Sequence, residues 1–118
     1  MDIDKMRRGE ELNKLVDDEI MYDWPHPNGE IPEYSRSLDH AMLVCGQIQE
    51  RYRIIGKRGK VTEVRFEVFR YGRKDFKVAF SMRPMRLLYV SAWSLYLPQA
   101  ICTAALKVSR AFNGRHLT

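Results

Sequence analysis

Arg51, Arg53, Lys57, Arg58 and Lys60 fall within the ten residues RYRIIGKRGK, with no acid among them. Cations spaced this closely suit phosphate oxygens: guanidinium binds as a two-pronged donor and ammonium as a point charge. Gly56 and Gly59 separate the last three and let the backbone turn between them. Arg83 and Arg86 flank a further turn at Pro84. Aromatic residues accompany these cations. Trp24 and Tyr34 bracket a Pro-rich loop, Tyr52 and Tyr71 adjoin arginines, and Trp93 and Tyr96 lead into the last helix. Rings stack on bases while arginines fork onto phosphate. The candidate ligand-binding set is therefore Trp24, Tyr34, Arg53, Lys57, Arg58, Lys60, Arg83 and Arg86, and the ligand class is an anionic, phosphate-bearing nucleotide. The plainer readings are a solvated turn at 51–60, tryptophans that anchor a core or an interface, and arginines that keep a sheet edge soluble.

Catalysis is harder to assemble. No GxxxxGK[ST], HExxH or GxSxG motif occurs, and GKRGK lacks the phosphate-loop spacing. Glu10, Glu11, Asp17, Asp18 and Glu19 read as the solvated face of a first helix. Asp17, Asp18 and Glu19 are consecutive, so they project about 100° apart and converge poorly on one cation. His40 does not face its neighbour Asp39 on a helix. His26, between two prolines, could donate to a ligand. Cys45 and Cys102 lie in apolar helical runs and read as reduced core thiols. Without a CxxC or spaced histidines, no metal or cofactor site is expected, and the chain does not read as an enzyme.

Length and charge narrow the partners. The 118 residues fit one domain with a modest core. No apolar run reaches the ~18 residues that span a bilayer, and the N-terminal stretch lacks a signal-peptide pattern. The expectation is a cytoplasmic protein with no membrane partner. Residues 1–50 carry five Lys/Arg against twelve acids, a net of −7, whereas residues 51–118 carry fifteen against three, a net of +12. The halves can fold against each other and neutralise in part. The surplus points to a basic face for phosphate or nucleic acid.

Apolar periodicity supplies the elements. Leu12, Leu15, Val16 and Ile20 mark a helix from about 6 to 21, which Asp4 can cap, ended by the Pro-rich loop. Leu38, Ala41, Met42, Cys45 and Ile48 mark a second from about 36 to 51, capped by Ser35 or Ser37, with Gly46 permitting close approach of another backbone. Then the period becomes two. VTEVRFEVFRY and FKVAFSM, joined by a Gly72 turn, predict a β-hairpin. RLLYVSAW predicts a third strand covered on both sides. Pro98 opens a last helix with Ile101, Ala104, Ala105, Val108 and Phe112 on one stripe, and Gly114 stops it. The fold class is α+β: a three-layer α/β/α sandwich, with a three-stranded antiparallel sheet and three helices in the order ααβββα, forming a single domain over 1–118.

Three runs carry a family resemblance: MDIDKMRRGEELNKLVDDEIMYDW leading into the Pro-rich turn, IPEYSRSLDHAMLV opening the second helix, and PQAICTAALK opening the third. Together they resemble the phage ABA-sandwich family of small phage and prophage proteins, at the two ends of the chain. The resemblance implies a phage origin and an α/β/α sandwich, and it implies no established catalytic activity. In size and charge the chain is also similar to small phage proteins that act as sponges for nucleotide immune signals of the host. The leading expectation is a non-catalytic, counter-defence binding module in the host cytoplasm, forming a homo-oligomer through the last helix and third strand. The alternatives are a nucleic-acid-binding phage protein, or an antagonist docking on a host protein.

Overall fold

The run AICTAAL is buried on every side, which sets it at the centre of the molecule. The computed structural model describes residues 3–26, 29–55, 59, 61–72, 75–82 and 88–114, with backbone alone at Ile54, Ile55, Val61, Tyr71, Leu88, Asn113 and Gly114. A 3-10 turn, Ile3–Lys5, precedes α1 (Glu10–Glu19) and α2 (Leu38–Arg51). A short ribbon of β1 (Ile54–Ile55) and β2 (Val61–Thr62) follows, then β3 (Val64–Tyr71), β4 (Asp75–Met82), β5 (Leu88–Ser94) and α3 (Leu97–Gly114). Three α-helices and a three-stranded antiparallel sheet in the order ααβββα match the expected α+β class.

β4 is central, with β3 and β5 antiparallel on either side. The register stacks Val64 beside Met82, Phe66 beside Phe80, and Val78 beside Ala92 on one face. Val64, Val78, Phe80, Met82 and Ala92 on that face are buried in one cluster with Leu12, Val16, Val44, Ile48 and the α3 run. Burying an aliphatic or Phe side chain contributes about 1.5–3 kcal/mol, so this cluster outweighs any single polar contact. Ala100, Ala104 and Ala105 let α3 sit close to its neighbours.

Several expectations shift. α3 packs on β4 and β5 while α1 and α2 pack on α3, and α2 reaches β3. The opposite face was expected to be covered, yet it carries Tyr89 and Trp93 at 59% and 53% exposure. Gly9, not Asp4, occupies the N-cap position of α1, and no side chain caps the helix. Ser37 caps α2, accepting from His40 N. The buried stripe of α2 is Ala41, Val44, Cys45 and Ile48, leaving Leu38 and Met42 exposed. Among the described residues no backbone approaches Gly46, where an added Cβ would meet nothing within 4 Å. The expected strand from Val61 divides at Glu63, because Val61–Thr62 pairs with Ile54–Ile55. Both cysteines are free and buried. Burial pushes the Cys45 thiol up to about 11 and Cys102 higher still. No described helix is long and apolar enough to cross a membrane.

Candidate anion-binding groove

The sequence Lys5-Met6-Arg7-Arg8-Gly9 enters α1 with three cations just ahead of the first helical residue. Gly9 sits at φ 138°, a conformation L side chains rarely adopt, and it offers no side chain to cap the helix. No side chain caps the first N–H groups of α1, which carry the partial positive charge of a helix start.

A buried polar lock holds this entry. Gly9 N donates to Ser35 Oγ at 2.8 Å, and Ser35 Oγ donates to Asn13 Oδ1 at 2.7 Å. Ser35 N donates to the same Oδ1 at 2.8 Å, and Asn13 Nδ2 donates to Glu33 Oε2 at 2.8 Å. The lock fastens the 33–36 turn onto α1 and brings Arg36 over Gly9. A Cβ at Gly9 would lie 3.2 Å from Arg36 Nη2. On the other flank the Arg8 guanidinium lies 3.5 Å from the centre of the Tyr96 ring. Gln99 Nε2 donates to Met6 O at 2.9 Å, tying the strap to the start of α3.

The result is a groove of about 740 Å³ lined by Lys5, Arg7, Arg8 and Arg36, with Glu10 and Glu11 as the opposing charges. Glu33 also pairs with Arg36 at 3.8 Å, so four cations meet three carboxylates and the groove stays net positive by one. An adjoining cleft of about 310 Å³ shares Met6 and Glu11; Ile3, Met6 and Leu15 form its apolar wall, and Glu11, Lys14, Asp18 and Arg110 its charged rim.

The residues singled out in sequence fare differently. Trp24 is 37% exposed and donates from Nε1 to Gln47 Oε1 at 3.1 Å. Tyr34 is corrected: at 1% exposure it has no face for a base, and its hydroxyl donates to Asp17 Oδ1 at 3.2 Å. Burial first, and the Asp17 carboxylate second, hold its phenol above the usual range. Asp17, expected on a solvated face, is buried, with His26 Nε2 at 2.7 Å. Arg53 is exposed beside Gln49, Glu50 and Glu63 in a shallow depression of about 280 Å³. Lys57, Arg58, Lys60, Arg83 and Arg86 lie outside the described residues.

The described cations of residues 51–118 do not gather on one surface. Arg110 pairs with Glu19 at 3.0 Å, Lys107 with Asp4 at 2.7 Å and Arg51 with Asp23 at 3.6 Å. All three pairs join the basic half to the acidic one, and the two hydrogen bonds that Arg110 donates to Glu19 raise its pKa above the usual guanidinium value. The described cationic groove is instead built from the half that is net negative. Averaging charge over halves hid it; Lys-x-Arg-Arg-Gly ahead of a helix start was the local signal. No family model matches the chain, and neither a curated protein nor a solved structure matches it.

Proposed function

We propose that this chain is a non-catalytic binding module that takes a phosphate-bearing nucleotide in the groove ahead of α1. The observation that carries it is the convergence of Lys5, Arg7, Arg8 and Arg36 on the uncapped helix start. Backbone N–H groups and the helix dipole favour an anion there, and the guanidinium forks suit phosphate. The Ile3, Met6 and Leu15 wall of the cleft beside it suits a planar, poorly hydrated moiety, which favours a nucleotide over inorganic phosphate. In the phage setting that the three sequence runs resemble, such binding would act by sequestering a host nucleotide signal in the host cytoplasm, with no bond made or broken.

Titration calorimetry against cyclic and linear nucleotides, with inorganic phosphate alongside, tests this. Heat with at least one nucleotide, and weaker heat with phosphate, is the expected result. No heat from a folded sample removes the reading.

A further inference from the structure

The open face of the β3–β4–β5 sheet is not a plain solvated surface. Alternation and register set its residues in cross-strand rows. Arg65, Ser81 and Tyr89 form one row, Glu67, Ala79 and Ser91 the next, and Phe69, Lys77 and Trp93 the third. Tyr89, Trp93 and Phe69 are exposed at 59%, 53% and 38%. The Lys77 ammonium lies 5.8, 5.6 and 5.8 Å from the ring centres of Tyr89, Trp93 and Phe69. The middle row has small residues on β4 and β5, with Ala79 buried beneath its neighbours. Tyr89 and Trp93 therefore stand about 13 Å apart along one strand, with a low floor between them.

We infer that this face is a stacking surface for the bases of single-stranded nucleic acid. Every base has a π-face, and aromatic side chains on a rigid platform hold unpaired bases without reading their order. An ammonium among the rings supplies the contact to phosphate or to a base edge. A protein partner fits less well, because the centres of protein interfaces are depleted in lysine. A second copy set across a two-fold axis through Lys77 would place ammonium against ammonium. Charge also decides the binding mode. Glu67 and Asp75 share the face with Arg65 and Lys77, so stacking and not counterion release must supply most of the affinity. A duplex, whose bases are already stacked and covered, gains little here.

Fluorescence anisotropy with labelled oligothymidylate and oligoadenylate, and with a duplex of the same length, tests this on the full chain. Single strands should bind about tenfold or more tighter than duplex. The slope of log K against log salt should stay near −1.4, as expected for about two phosphate contacts. The Tyr89→Ala/Trp93→Ala pair should weaken strand binding about tenfold or more. Lys77→Gln should weaken it by about threefold to tenfold, within the span of a single ammonium–phosphate contact. In a Trp24→Phe background, the remaining Trp93 fluorescence should be quenched on binding. Circular dichroism confirms that each variant folds. Absent strand binding, affinity unchanged by the ring pair, or a duplex bound as tightly as single strands overturns the inference. So does a concentration-dependent dimer in sedimentation that the ring pair abolishes, because the face would then be an interface between copies.

Discussion

The groove ahead of α1 and the open sheet face both set cations beside rings, but in opposite proportions. In the groove four cations gather around a helix start and one ring, Tyr96, serves as a backing for Arg8. On the sheet three rings gather around one ammonium. The first arrangement suits charge and the second suits flat, unpaired π-surface. Their supports differ as well. The groove depends on a small polar lock through Ser35 and Asn13, whereas the sheet face depends on strand register alone.

The contrast predicts where each region breaks. Arg7→Glu/Arg8→Glu should lower nucleotide affinity by about 100-fold, because two charges reverse in the groove. The thermal midpoint should move little, since both side chains are exposed. Calorimetry and a melting curve read the two outcomes; retained affinity would leave the groove without its assigned role. Asn13→Ala removes the acceptor that Ser35 N and Oγ share in a buried setting, and should cost about 2–3 kcal/mol in urea unfolding. It should also weaken nucleotide binding, because Arg36 loses its fixed position. Gly9→Ala meets both an unfavourable φ and the nearby Arg36 guanidinium, for a loss of about 1–3 kcal/mol. A Gly9→Ala protein as stable as the parent would show that the entry relaxes freely. Tyr96→Ala is the mildest change: stability should stay within about 0.5 kcal/mol, while nucleotide affinity falls about threefold as Arg8 loses its backing.

Much of the fold was readable because apolar periodicity reports burial directly. The two-residue period through Phe76, Val78, Phe80 and Met82 gave β4, and AICTAAL gave the centre of α3. Burial on the far side of β5 was misjudged, since Tyr89 and Trp93 are apolar by composition and exposed in fact. Periodicity cannot say whether a second layer exists. The site was less readable. Tyr34 reads from sequence as a candidate stacking ring, but its hydroxyl donates to the buried Asp17, and that pairing spans 17 residues of chain. Arg36 reaches the groove only through the Ser35–Asn13 lock, a contact over 22 residues that no local pattern encodes. Lys5, Arg7 and Arg8 were legible as a cluster, but the acids that follow on α1 masked them in the charge count.

The most direct measurement is an amide and arginine side-chain NMR titration of the uniformly labelled protein with the nucleotide that gives the largest calorimetric heat. The groove account predicts the largest shifts at the amides of Gly9, Glu10 and Glu11 and at the Nε groups of Arg7, Arg8 and Arg36. Shifts centred instead on Trp24 and Gln47, or around Arg53, with the α1 entry unmoved, would contradict it.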